Sequence, residues 1–428
     1  MTAVAVVLLL VLIGLSIPVA ASLGVLGLLL DPLYSMLPLS RAMGEMAWGT
    51  STEFLLVAIP LFIMLGEILL RAGFAERMYN AMSQWLSWLP GGLMHANIGA
   101  SAIFAATSGS SVATAATVGT VALPQIRRFG YHEPLFLGSV AAGGTLGILI
   151  PPSINLVIYG VLTNSSVPKL YLAGILPGML LTMLFMVVVV VACVAKPAWG
   201  GQRVRATWGE RLRGLVHLLP PLGIFLLVVG SIYAGVATPT EAAALGVVGA
   251  LVLAAAFRRL SRAMLAEVLQ STMRATAMIM LIVIAAGFLN FVMSAIGLTD
   301  AITRSITGLG WSPMAMLLAI VVFYVILGCF METLSMMITT IPIVAPIMTA
   351  LGFDPVWTGI VIIILVETAL ITPPVGLNLF VVQSLRKSGS IGAVINGSLP
   401  FVASLFLLIA LLAAFPDLAL WLPRVIGS

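Results

Sequence analysis

Long apolar runs alternate with short polar loops along this chain, and the most informative run is interrupted. Gly143 to Gly160, GGTLGILIPPSINLVIYG, has the length of a membrane span but carries Pro151-Pro152 at its middle, with Ser153 and Asn155 beside them. Two prolines remove two backbone donors and push Ile150 out of the helical region, so a helix here stops and restarts. Unwound backbone at membrane depth persists only where it is buried in protein or lines a cavity. Glu367 to Gln383, ETALITPPVGLNLFVVQ, repeats the pattern, with Thr372 before Pro373-Pro374 and Asn378 in the place of Asn155. Matching breaks in two halves of one chain point to a transporter binding site.

The other runs supply the frame. Residues 3–30 are apolar with an interruption at Pro18, enough for one broken span but short for two at about 20 residues each. Without a Lys or Arg ahead of it, this run is expected to be retained rather than cleaved. A loop from Asp31 to Thr52 leads to a span from Glu53 to Arg71, and Gly73 to Leu89 mixes charges and tryptophans as a helix lying in the interface does. His95 to Phe129 holds two apolar runs around Thr107 to Ser111. Each run is about 15 residues, or roughly 22 Å of helix, too short for a core of about 30 Å. The spacing predicts a re-entrant hairpin over 92–129 with a hydroxyl-rich tip. A broken span over 131–163, a span from Leu170 to Ala195, a basic loop over 197–217 and spans at 215–233 and 239–257 follow.

The second half repeats the first at the separation of Pro373 from Pro151. GFAERMYNAM aligns with GLTDAITRSI, FGYHEP with LGFDP, and AGILPG with NGSLPF. The repeats are 1–196 and 218–418, and the second predicts a span from Arg274 to Ala295, an interfacial arm at 297–310, a hairpin over 312–351 with its tip at Gly328 to Ser335, a broken span over 355–385 and a span from Gly392 to Phe415. An odd number of crossings separates the two cores, so the repeats are expected to be inverted.

Composition and charge sharpen this picture. With 61% hydrophobic residues, 8% charged and a mean hydropathy of +1.20, the chain is a polytopic membrane protein. Its net charge of +5 sits in short loops, so no nucleic acid partner is expected. Lys196, Arg203, Arg205, Arg211 and Arg213 mark one loop as cytoplasmic, and Arg258, Arg259 and Arg262 another; Arg127-Arg128 and Arg386-Lys387 then fall on the same side. Cys193 and Cys329 are isolated and suggest neither a disulfide nor a metal site, and Met331, Met336 and Met337 fit as core filler.

All nineteen Lys and Arg residues fall in loops, arms or span ends, so no fixed cation waits at depth for an anionic substrate. The positive ends that remain are the helix N-termini at the two tips and two breaks. Ser110, Ser111, Thr333, Ser335, Asn155 and Asn378 are the candidate substrate-binding residues. Unwound carbonyls and hydroxyls offer hard oxygen ligands for Na⁺: Ser108, Gly109, Pro151 and Ser153 around one site, Gly328, Glu332, Thr372 and Pro373 around the other. Glu332 and Glu367 are the deepest ionisable residues, each either a cation ligand or a helix cap. Glu67 is placed at the interface. Three histidines near loops and no paired aspartates argue against an intramembrane enzyme.

At TSGSSVATAATVG, GTLGILIPPSINLVIYG, AGILPG and TPPVGLNLF the chain resembles the large, DctM-like membrane subunit of tripartite ATP-independent periplasmic (TRAP) transporters, over essentially its whole length. The resemblance implies an all-α elevator-type secondary transporter of the bacterial inner membrane, with a scaffold and a transport domain, driven by a Na⁺ gradient. It further implies a separate small four-helix membrane subunit and a periplasmic binding protein that delivers an organic acid such as a C4-dicarboxylate or sialic acid. A stand-alone ion-coupled carboxylate transporter of related fold is the alternative, and a channel is disfavoured by the inverted broken helices.

Overall fold

A computed structural model of the chain describes residues 1–204, 206–386 and 388–426. Arg205 and Lys387, two of the basic loop residues above, lie outside the described residues. All regular structure among the described residues is helical. The first half comprises α1 (Thr2–Gly14), α2 (Val19–Tyr34), α3 (Met43–Ser51), α4 (Ala58–Arg71), α5 (Phe74–Leu86), α6 (Leu93–Ser108), α7 (Ser111–Phe129), α8 (Glu133–Leu149), α9 (Ile154–Thr163) and α10 (Val167–Ala195). After α11 (Trp208–Val216), α12 (Leu219–Tyr233) and α13 (Pro239–Ala256), the same order returns. It runs α14 (Arg262–Ala295), α15 (Leu298–Thr307), α16 (Pro313–Leu327), α17 (Thr333–Ala350), α18 (Pro355–Ile371), α19 (Leu377–Ser384) and α20 (Ile391–Ala414), and α21 (Asp417–Ile426) closes the chain.

Local chemistry explains much of the punctuation. Proline opens α8, α10, α12, α13, α16 and α18 within the first turn, where its missing donor costs nothing. Among the described residues six helices are long and apolar enough to cross a membrane, counting a 3-10 turn that extends α4 back to Phe54. One of them is α17, whose 18 residues exceed the run length expected for a hairpin arm, and the α8–α9 and α11–α12 pairs pass the same test as bent units. The α8–α9 bend is 42°.

The two proline-broken helices form the centre. Leu135–Leu149 of α8 and Trp357–Ile371 of α18 are buried at every position, so other helices cover them on all faces. They pack against each other, and α10 and α20 against both. The α8–α20 crossing is backbone to backbone: a Cβ on Gly138 would overlap the carbonyl of Gly397, and one on Gly397 the carbonyl of Pro134. Around this centre, α14 packs on α2, α3, α4 and α17, and α4 on α13. Hairpin arms α6 and α7 lie along each other, whereas α16 and α17 touch sparsely and are tied by the Tyr324 and Thr340 hydroxyls, 2.6 Å apart.

Four boundaries differ from the sequence reading. The 31–52 loop contains α3, a helix packed on α14. The 197–217 loop contains α11, started by a capping box in which Thr207 and Glu210 satisfy each other's backbone. The span placed at Arg274 begins at Arg262 instead, because Ser261 caps the helix there and the amphipathic turns that follow extend it to 34 residues. A further helix, α21, lies beyond the second repeat and packs on α10 and α18. Residues 3–30, whose span number the pattern leaves open, form two helices separated at Leu15 to Pro18.

Candidate functional site

Both hairpin tips reach a break, and each freed helix start is capped from within its own tip. At the first tip Ser110 accepts the Ala113 amide at 3.4 Å, and its carbonyl accepts the Thr114 hydroxyl at 2.7 Å. The Ser108 and Thr114 hydroxyls lie 3.1 Å apart, and Ser111 donates to the Thr145 carbonyl of α8 at 3.3 Å. Gly109 turns the chain at φ +59°, and a Cβ there would sit 3.0 Å from the Pro152 carbonyl, so tip and break meet backbone to backbone. Pro151 to Asn155 are all buried, and Ser153 caps α9 by accepting the Leu156 amide at 3.4 Å.

At the second tip the turn is Gly328 to Glu332, and Thr333 and Ser335 already belong to α17. Glu332 is the cap: Oε1 accepts the Ser335 amide and hydroxyl, both at 2.6 Å, and Oε2 accepts the Leu334 amide at 3.1 Å. Gly328 packs on Ala369 of α18, and the Cys329 thiol reaches the Pro373 carbonyl at 3.7 Å. Thr372 donates back to Thr368 at 2.6 Å, and its carbonyl accepts the Gly376 amide at 3.2 Å. Asn378 crosses to the other half, its Nδ2 donating to the Ala141 carbonyl of α8 at 3.1 Å.

Between the tips lies a cavity of about 270 Å³. Ser108 to Ser111, Asn155, Glu332 and Thr333 line it, whereas Ser335, Asn378, Pro151 and Ser153 do not. An adjoining cavity of about 210 Å³ takes in Gly328, Glu332 and Thr333 with the second break from Val375 to Leu377. No Lys or Arg lines the first cavity, and its two ionisable residues, Glu67 and Glu332, are both acidic. Glu67 is the residue that the sequence pattern left at the interface. Its spacing of four from Arg71 was the available signal: Arg71 binds it at 3.1 Å and also pairs with Glu267 of α14 and donates to Ser271 at 3.0 Å.

Several polar atoms here have no protein partner. They are Nδ2 of Asn155, Oδ1 of Asn378 and both carboxylate oxygens of Glu367, which is fully buried in α18 and caps no helix. Among the described residues no group of three His, Cys, Asp or Glu side chains is placed to hold a metal. The oxygens of the tips and breaks are hydroxyl, amide, carbonyl and carboxylate groups, hard donors rather than the thiolate and imidazole ligands that suit a transition metal.

Residues 6–418 match the family described as the tripartite ATP-independent periplasmic transporter, DctM component. The chain belongs to this family. It is 37% identical over 410 residues to the C4-dicarboxylate TRAP transporter large permease protein DctM of Pseudomonas aeruginosa, covering 95% of this chain and 94% of that one. It is also 32% identical to the sialic acid large permease SiaM of Vibrio cholerae, over 88% of each chain. Among solved structures, the YdaH transporter of Alcanivorax borkumensis shares the fold with a TM-score of 0.65 at 17% identity, over 95% of this chain and 97% of that one. This DctM-family chain is thus a multi-pass inner-membrane permease subunit and not an enzyme.

Proposed function

We propose that this permease carries an organic acid anion into the cell in symport with Na⁺, receiving it from a periplasmic binding protein and working beside a separate small membrane subunit. The observation that carries this reading is the cavity between the tips, whose only ionisable lining residues are two carboxylates. Glu67 is paired with Arg71, so Glu332 is the unpaired charge on this wall; it repels an anion unless a cation accompanies it, and the helix starts of α7, α9 and α17 offer only partial positive charge. Two cation positions fit the donor chemistry. One is formed by Ser108, Gly109 and the Pro151 to Asn155 break, the other by Gly328, Glu332 and the Thr372 to Asn378 break, with the unpartnered amide oxygen of Asn378 nearby. Substrate would then contact Ser110, Ser111, Asn155 and Thr333.

The repeated element order supports a pair of repeats over 1–196 and 218–418, and the odd number of crossings expected between their cores makes the pair inverted. In that arrangement the hairpins and broken helices move as one elevator-type domain against a scaffold of the remaining spans, with α5 and α15 as connecting arms.

The test is calorimetry in nanodiscs with the acid that co-purifies with the binding protein, in Na⁺ or in choline. Linked sites should weaken binding without Na⁺ by about 5- to 150-fold. Equal affinity in both buffers refutes the reading.

A further inference from the structure

Away from the tips, a cleft of about 640 Å³ opens at the basic segment before α11, lined by Ser87, Trp88, Gln202, Arg203, Val204, Ala206 and Arg211. Its walls are fixed. Ser87 donates to the Val204 carbonyl at 2.8 Å, Trp85 Nε1 donates to the Arg211 carbonyl at 2.9 Å, and the Trp85 and Trp208 rings meet edge to face with centroids 6.5 Å apart. Beside the cleft, α11 presents Trp208, Leu212, Leu215 and Val216, all exposed and at the i, i+4, i+7, i+8 spacing of a single helix face. A short helix with a bulky apolar face and arginines above it lies in the membrane interface.

The charge of the cleft is unopposed. Arg203 and Arg211 line it without an acidic residue, and neither has an ion pair among the described residues. The Arg211 guanidinium sits 5.1 Å from the centroid of the Trp208 ring, and its Nε is buried with no acceptor. Glu210, the nearest acid in sequence, is occupied by the cap: its carboxylate accepts the Thr207 amide at 2.7 Å and hydroxyl at 2.9 Å. We infer that this cleft binds the phosphate of an anionic phospholipid, whose acyl chains lie along the apolar face of α11. The continuous apolar face beside the arginines favours a phosphate carried on a lipid over a free anion.

Native mass spectrometry of the purified full chain, titrated with phosphatidylglycerol or phosphatidylcholine, tests the assignment. Phosphatidylglycerol should be retained preferentially, and the Arg203→Ala/Arg211→Ala variant should lose that preference by about fivefold per arginine, the factor equivalent to ~1 kcal/mol per basic residue at an anionic surface. Millimolar inorganic phosphate should not displace the lipid; displacement would mean a free-anion site and overturn the lipid assignment. Unchanged phosphatidylglycerol binding by the variant would overturn it as well. Should that variant aggregate, tryptophan quenching by brominated phosphatidylglycerol in the native chain and in Trp208→Phe decides. The quenching should exceed that by brominated phosphatidylcholine and fall in the variant, and equal quenching by the two lipids rejects the site.

Discussion

The two tip-and-break pairs solve one problem in different ways. In the first, Pro151 to Asn155 are wholly buried, Gly109 abuts the Pro152 carbonyl, and neutral hydroxyls of Ser110 and Ser153 cap the restarted helices. In the second, Pro374 and Val375 are exposed, Phe330 is 73% exposed, and a carboxylate, Glu332, holds the start of α17 while α19 begins without a side-chain cap. The proline pair therefore sets where a helix breaks, and the surroundings set what satisfies the freed backbone. A charged cap is tolerable where water or a cation shares its solvation, and Glu332 stands on the more exposed pair, whereas the more deeply buried first break is capped by neutral hydroxyls. Fewer buried contacts also leave the second pair the more easily opened of the two.

The largest expected effect strikes that asymmetry directly. Glu332→Ala removes an acceptor for three hydrogen bonds, two from the α17 backbone, at a partly exposed site; a loss of about 2 kcal/mol in holding the tip is expected, within the range for charged hydrogen bonds. In proteoliposome uptake this should appear as a roughly 30-fold slower rate, with Glu332→Gln in between. Ser110→Ala removes one long hydroxyl contact and should cost no more than about 1 kcal/mol. Equal losses at the two positions would mean that the caps are interchangeable and the contrast between the pairs is incidental.

This contrast also marks where the sequence stopped being legible. Proline pairs, hydroxyl clusters and apolar run lengths are local signals, and they located both breaks and the polar turns between α6 and α7 and between α16 and α17. How tightly each tip is covered depends on helices far away in sequence, such as α4 and α8 against the first tip, where Gly66 meets Ser108 and Gly147 meets Ser110, and no local pattern reports it. Glu332 and Glu367 looked alike as deep carboxylates, yet one accepts from a helix start and the other is fully buried without capping a helix, a difference of three-dimensional surroundings. By contrast α11 was legible and missed: Thr207 and Glu210 form a T-x-x-E capping box that the run of arginines obscured.

A smaller effect concerns access. In a Cys193→Ser/Cys329→Ser background, a cysteine replacing Val375, which is 40% exposed, should react with a membrane-permeant maleimide at least about tenfold faster than one replacing the fully buried Ser153. Mass spectrometry of timed samples gives both rates. Matching rates would show that the first break opens as readily as the second, and the distinction between a sealed and an open pair would fail.

The subtlest contrast lies between the two asparagines. Asn378 spends its amide on the Ala141 carbonyl, tying the second break to α8 of the other half, whereas the Asn155 amide has no protein partner at the cavity wall. Asn378→Ala should therefore lower stability by about 1 kcal/mol, the usual worth of one buried hydrogen bond, and show as a lower thermal midpoint in detergent. Asn155→Ala has no such bond to lose and should lower the thermal midpoint less than Asn378→Ala does. Its effect belongs to ligand binding instead: if its amide oxygen turns toward a cation beside the first tip, removing it raises the Na⁺ concentration for half-maximal uptake while leaving the melting point in place. Should both variants transport with native Na⁺ dependence, the asparagines only join helices, and the cation sites must be built from tip hydroxyls and break carbonyls alone.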